Sequence, residues 1–286
     1  MTYYKTDLTH PYLNQMVDYP DIPKKLWVRG KLPDCVSGRP KTVAIVGARR
    51  CTSYGEDVAY RLANQLAAHG VIIVSGLAYG IDSCAHRGCL DAGGITIAVL
   101  GTAIDQIYPR SNLDLAERIL EKGAIISEHN PGEEAKNYFF LYRNRIVSGL
   151  ADVVVVIEAA ERSGTLFTAY VAEVEQSKIV FAMPGDITRP MSIGCNNLIK
   201  NGCIPYTKIE DVLDELKIKS KAKKDDYSDC DPSERRVLKC IKDGKQDNLD
   251  IVAETKLSVG ELAQILTSLE MKNHIKSIGI DRWALA

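Results

Sequence analysis

TVAIVGARRCTSYGEDVAYRLANQLAAHGVIIVSG, residues 42–76, reads as a strand, a glycine turn, an amphipathic helix and a second strand. The runs VAIVG (43–47) and VIIVSG (71–76) are apolar throughout, as strands buried on both faces are. Between them Val58, Leu62 and Leu66 recur at every fourth position and Gly70 follows as a C-cap, so the spacing predicts a helix from about Tyr54 to His69. This is a βαβ unit, and the pattern repeats outward through TIAVLG (96–101), AIISE (124–128), DVVVVIEA (152–159) and IVFAMPG (179–185). Residues 42–216 are therefore expected to form an α/β domain of Rossmann-like type, a mostly parallel sheet flanked by helices.

The flanks differ in character. Residues 1–41 include the proline-punctuated YPDIPKKLWVRGKLP, an extended lead-in too short to be a domain. KIKSKAKKDDYSDCDP (217–232) mixes charges with almost no large apolar residues and reads as a linker. Beyond it, amphipathic segments at 233–242, 249–256 and 259–273 precede the β-like HIKSIGIDRWALA. That order predicts a small winged-helix domain over 233–286, with a plain three-helix bundle as the alternative.

Composition limits the function classes. The 286 residues carry a net charge of −1, so any site for a polyanion must be local. Apolar runs such as Val153–Ile157 are strand-sized, far short of the roughly 20 residues that span a bilayer, and MTYYKTDLTHPYL lacks a secretory pattern. No membrane association and a cytoplasmic location are expected. The eight cysteines form no CxxC pair and are expected as reduced thiols.

Five loops carry candidate chemistry. In the first turn Gly47 opens the bend, but Arg49 stands where a dinucleotide-binding turn has its second glycine. A guanidinium there blocks a pyrophosphate yet can grip one phosphate, with Arg50 beside it. SGLAYGIDSCAH (75–86) places Gly76 in a loop whose amides can face an anion, and GTAIDQIYPRSN (101–112) adds Arg110. AKNYFFLYRNRIVSGL (135–150) crowds aromatics against Arg143 and Arg145. Phe139, Tyr142 and Ile146 share one helical face suited to burial, which leaves Phe140 as the platform for an unpaired base. ERSGTLFTA (161–169) offers Ser163, Gly164 and Thr165 as caps or anion ligands at a helix start. No Ser/His/Asp set, metal-ligand cluster or Walker lysine accompanies these loops, so a binder without cofactor or metal is expected rather than an enzyme. His86, inside a helical pattern, reads as a packed core residue.

In this order the blocks VGARRCTSYG, IVSGLAYGIDSCAH, TIAVLGTAIDQIYPRSN, FFLYRNRIVSGLADVVVVIEA, SGTLFTA and MPGDI followed by GCNNLIKNG resemble the DprA/Smf family, from about Tyr19 to Leu216. The tail is similar to that family's winged helix. The resemblance implies a protein that binds and protects single-stranded DNA in natural transformation, helps load the RecA recombinase, and dimerises through the Rossmann-like domain, with a contribution from 179–203. It implies DNA contacts at Arg49, Arg110, Arg143 and Arg145, with Lys136, Phe140 and Asn144 of the same segment. On that basis Arg49→Ala with Arg143→Ala is expected to weaken DNA binding without unfolding the chain.

Two departures qualify the resemblance: barely forty residues precede the first strand, where the family commonly has a helical domain, and Leu141 stands where it usually has proline. Over 231–286, nine basic and nine acidic residues cancel, which points the tail toward protein rather than duplex DNA. The competing reading is a nucleotide-processing enzyme similar to phosphoribohydrolases, for which Glu158 would be the carboxylate over the ribose.

Overall fold

The computed structural model describes residues 2–219, 227, 229–272 and 274–285 and divides the chain into two compact units, Met1–Lys221 and Ala222–Ala286. The sequence-predicted linker lies partly outside the described residues; Tyr227 and Cys230 within it pack on the core of the second unit.

The first unit is built on nine strands: β1 (Tyr4–Asp7), β2 (Lys25–Gly30), β3 (Thr42–Val46), β4 (Ile72–Ser75), β5 (Thr96–Leu100), β6 (Ala124–Ser127), β7 (Val153–Val156), β8 (Ile179–Ala182) and β9 (Ile204–Pro205). They run in the order β1-β2-β6-β5-β4-β3-β7-β8-β9. From β6 to β9 every pair is parallel, while β2 joins β6 and β1 joins β2 antiparallel. The mostly parallel, Rossmann-like sheet expected from the sequence is thus present. The lead-in is more than an extended strap, because it supplies β1 and β2 and buries Tyr12, Leu13 and Met16 completely. Its prolines flank β2 rather than interrupt it, which is why punctuation hid the strand.

Side-chain alternation divides the core. Val43 and Ile45 of β3 pack in one cluster with Leu62, Leu66 and Ile81, whereas Ala44 and Val46 pack in another with Met16, Ile146 and Leu150. Each such aliphatic chain removed from water stabilises the fold by about 1.5–3 kcal/mol. The helices are α1 (Ser53–Ala68), α2 (Ile81–Asp91), α3 (Leu113–Leu120), α4 (Asn137–Tyr142), α5 (Asn144–Leu150), α6 (Gly164–Tyr170), α7 (Pro190–Lys200) and α8 (Ile209–Glu215). Helix α6 continues through a π turn, Val171–Glu175. The chain moves from β3 to β6 on one side, then returns to place β7 on the other. That reversal opens a crevice beyond the carboxyl ends of β3 and β7, where such sheets bind ligands.

Both edges of the sheet are short. β1 is four residues, largely exposed, and carries Lys5; β9 is two residues and ends in Pro205, which has no N–H to offer.

The second unit comprises α9 (Pro232–Lys242), α10 (Asn248–Thr255), α11 (Val259–Met271) and an antiparallel hairpin of β10 (Ile275–Gly279) and β11 (Arg282–Leu285), the element order of a winged helix. Its polar anchor is Glu234, buried in α9, which accepts bonds from Ser268 Oγ at 2.6 Å and Lys272 Nζ at 2.7 Å of α11 and its C-cap. Burial pushes the carboxyl pKa up, but bonds from Lys272, Ser268 and the Asp231 amide outweigh it and hold the group at about 2. A depressed pKa stabilises the fold above the unfolded value of 4.5, and that stability is lost as pH falls toward 2. Thermal unfolding of the second unit, followed by Trp283 fluorescence in a Trp27→Phe background, is expected to show this acid slope. Glu234→Gln should flatten it and lower the midpoint at neutral pH, because Lys272 loses its anion. An unchanged slope would place the acid sensitivity elsewhere.

Candidate nucleic-acid interface

Two turns and helix α4 meet at the crevice and line a cavity of about 400 Å³. The first follows β3. A Cβ at Gly47 would lie 2.6 Å from Ile81 Cγ1, so close packing of the turn on α2 requires glycine there. Ala48 N–H donates to the Glu158 carbonyl at 2.8 Å, tying this turn to the end of β7. Arg49 and Arg50 are exposed at the cavity wall and have no ion pair among the described residues. The Arg49 guanidinium lies 5.5 Å from the centre of the Phe140 ring.

The second group comes from α4. Phe140 is half-buried, its ring 5.2 Å from that of Tyr108, which is 50% exposed. A Cβ at Gly101 would lie 2.9 Å from Phe140 Cα, so the glycine after β5 lets α4 approach. Phe139 is buried and stacked on His129, with ring centres 3.8 Å apart, and Ile146 is buried. Tyr142, expected on the same face, is 39% exposed, since the chain turns between α4 and α5 at Arg143.

The other turn precedes α6. Ser163 caps it, its side chain accepting from Thr165 N–H at 3.2 Å, and Ser163, Gly164 and Thr165 all line the cavity. Thr168, one turn on, presents a buried hydroxyl to the same space with no hydrogen-bond partner among the described residues. Arg162, exposed and without an ion pair among the described residues, completes the wall. Neither Arg162 nor Tyr108 stands out in the sequence: Arg162 immediately precedes the Ser-Gly-Thr turn, which carries the stronger signal, and Tyr108 reads as part of a turn.

Burial corrects two expectations. Arg143 lines the cavity but is 3% exposed, and its Nη1 donates to the carbonyls of Gly76, at 2.7 Å, and of Val99. A Cβ at Gly76 would lie 2.7 Å from Asp82 Oδ2, in the gap that the guanidinium and the Asp82 carboxylate share. Burial lowers the Arg143 pKa to about 10, opposed by the charge of Asp82, so the side chain stays cationic at neutral pH. Burial raises the Asp82 pKa, opposed by Arg143 and by bonds from Ala78, Ser75 and Gly76. Arg143 therefore ties the ends of β4 and β5 to the α4–α5 junction through Nη1, with its guanidinium buried in the fold rather than exposed as the sequence suggested. Arg145, 4% exposed, turns away from the cavity: it makes a two-point ion pair with Glu128 at 2.8 and 2.6 Å and covers the Tyr142 ring at 3.7 Å. Asn144 lines the cavity and accepts from Arg143 Nε at 3.1 Å.

Arg110 and Lys136 lie outside the cavity lining. Arg110 is exposed at the start of a single 3-10 turn, next to Pro109, which borders a recess beside Phe140. Lys136 is exposed with its ammonium 5.9 Å from the Phe139 ring. Glu158, the carboxylate an enzyme would need, is buried and accepts from Thr52 N–H at 2.8 Å and Thr52 Oγ1 at 2.6 Å, so it anchors the start of α1. His86 is fully buried 2.7 Å from Thr96 Oγ1, and burial, with Arg143 and Arg87 adding to it, takes its pKa down to about 3. Neither group is presented to a ligand.

The family model described as DNA recombination-mediator protein A matches residues 4–217. DNA processing protein DprA of Bacillus subtilis is 39% identical over 196 residues, covering 68% of this chain and 65% of that protein. The chain thus spans less than two thirds of that relative's length. The X-ray structure of DNA processing protein A from Streptococcus pneumoniae is similar with a TM-score of 0.69 and 37% identity, over 75% of each chain. DNA processing protein A of Helicobacter pylori, whose structure is described for its single-stranded DNA binding mode, matches with a TM-score of 0.67 and 32% identity, over 76% of this chain and 96% of that one. The resemblance read from the sequence blocks is borne out: the chain belongs to the DNA recombination-mediator protein A family, also called DprA or Smf.

Proposed function

We propose that this protein binds single-stranded DNA along the crevice between β3 and β7, without turning it over. The observation that carries this reading is Arg49, an arginine with no ion pair among the described residues, placed over the half-exposed Phe140 at the mouth of the cavity. An unneutralised guanidinium beside an aromatic face suits a phosphate next to an unstacked base. Arg50 and Arg162 extend the cationic wall, with Arg110 and Lys136 as outlying contacts. The single-strand binding of the H. pylori relative supports the same substrate.

If Arg49, Arg50 and Arg162 each neutralise one phosphate, log K for oligo-dT should fall against log salt with a slope of at least about −2. Fluorescence anisotropy at several salt concentrations measures this; a flat dependence would overturn the assignment. The phosphoribohydrolase reading requires a free carboxylate, and Glu158 is engaged by Thr52. No release of free base from nucleoside monophosphates is expected.

Family membership supports further steps: protection of incoming strands in natural transformation, loading of the RecA recombinase, dimerisation through the first unit, and a cytoplasmic setting. No helix among the described residues is long and apolar enough to cross a membrane. For the second unit we infer a protein partner. Lys272, the single base in the stretch that would read a duplex, is held by buried Glu234, and Glu261 caps its helix. Deleting residues 222–286 should leave most oligo-dT affinity intact, and loss of that affinity would argue against the inference.

A further inference from the structure

The second unit brings Asp229, Cys230 and His274 together from its two ends, 45 positions apart in the chain for Asp229 and His274. Their donor atoms all lie within 4.8 Å of one another. His274 Nε2 is 2.9 Å from Asp229 Oδ1, and Cys230 Sγ is 3.6 Å from the same oxygen. We propose that these three residues form a binding site for a divalent transition metal of the zinc class. The pairing of ligands from opposite ends of the unit explains why a search for closely spaced cysteines passes over it.

The ligand set is one thiolate, one imidazole and one carboxylate, a mixture that zinc accepts and that calcium or magnesium does not. At bond lengths of about 2.0–2.3 Å, tetrahedral donors sit about 3.3–3.8 Å apart. The Cys230–Asp229 spacing is already in that range, and the His274–Asp229 pair needs to open by less than an ångström. The shell is built rather than loose. Lys272 Nζ donates to the Asp229 carbonyl at 2.8 Å, Cys230 N–H donates to the Tyr227 carbonyl at 3.0 Å, and the Tyr227 ring packs edge-on to His274 at 5.4 Å.

Access and charge also suit a cation. Cys230 is buried at 5% exposure while the Asp229 side chain is 52% exposed, so one side of the site opens to water, which supplies the fourth ligand. On binding, the Cys230 S–H bond breaks and its proton passes to solvent; thiolate and carboxylate then balance the dication. The neighbouring Lys272–Glu234 pair adds no net charge. The bound ion would pin Asp229 and Cys230, just before the N-cap of α9, to the residue ahead of β10, fixing the hairpin against the helices.

The test uses the full chain, stripped with a chelator and kept reduced with a phosphine, and cobalt(II) as the probe. One equivalent should produce tetrahedral visible bands and a near-ultraviolet thiolate-to-cobalt band, both displaced by zinc. The thiolate band should be lost in Cys230→Ser and in His274→Gln and persist in Cys51→Ser. Zinc should raise the unfolding midpoint of the second unit in the wild type and not in His274→Gln. If Cys230→Ser loses its circular dichroism spectrum, His274→Gln and Asp229→Asn decide, since both side chains reach the surface. Absence of a thiolate band in the wild type overturns the proposal, as does a band undiminished in the folded variants.

Discussion

Arg143→Ala should destabilise the first unit by about 3–5 kcal/mol, the range for removing one member of a buried charged network. The substitution leaves the Gly76 and Val99 carbonyls without their donor and the buried Asp82 carboxylate without its cation. For a unit of this size the loss corresponds to a fall in midpoint of roughly 6–20 °C. Oligo-dT affinity should fall with it, because α4, which carries Phe140, loses its tie to the ends of β4 and β5. The double substitution of Arg49 and Arg143 is therefore expected to lose the same stability as Arg143→Ala along with its affinity, contrary to the reading from sequence alone. Denaturant titration of Arg143→Ala beside Arg49→Ala separates the roles. Full stability with weakened binding in Arg143→Ala would restore the phosphate-contact assignment.

Arg49→Ala combined with Phe140→Ala is expected to weaken oligo-dT binding by about 2–4 kcal/mol, roughly 30- to 1000-fold. Stacking on an aromatic contributes about 1–3 kcal/mol per base, and the remainder is the lost phosphate contact. Because the guanidinium lies 5.5 Å from the ring centre, within cation–π range, the single substitutions should not sum to the double. Arg49→Ala breaks no ion pair among the described residues, so its midpoint should match the wild type. Equilibrium binding of the four proteins at one salt concentration measures the coupling. An affinity in the double variant within threefold of wild type would move the strand elsewhere on the surface.

Continuous apolar runs and period-four spacing carried most of the first unit because they report what a strand or helix buries: strands β3 to β8 are buried almost throughout, and α1 buries one face through Ala59, Leu62, Ala63 and Leu66. The same logic located the turns, since glycines at 47 and 76 mark where chains approach too closely for a side chain. What remained hidden was convergence across the sequence. Arg143 and Arg145 look alike in one dimension, two cations in the RNR triplet. Their environments are set by Gly76, 67 positions away, and Glu128, 17 positions away. A charge-based reading assumes that arginine faces water, and here the fold supplies internal acceptors instead. Glu158 shows the converse, a strand-end carboxylate whose partner Thr52 lies 106 positions earlier.

The two abbreviated margins of the sheet bear on how copies of this chain meet. A ladder grows from one molecule into the next only where a long row of free N–H and C=O groups is presented. One margin here offers four residues bearing Lys5, and the other offers two and then Pro205. Neither can template a continuous intermolecular sheet. Any contact between copies of this chain would then rest on side-chain complementarity rather than on a shared backbone ladder, and the brevity of both margins protects a broad apolar sheet from open-ended strand-to-strand growth.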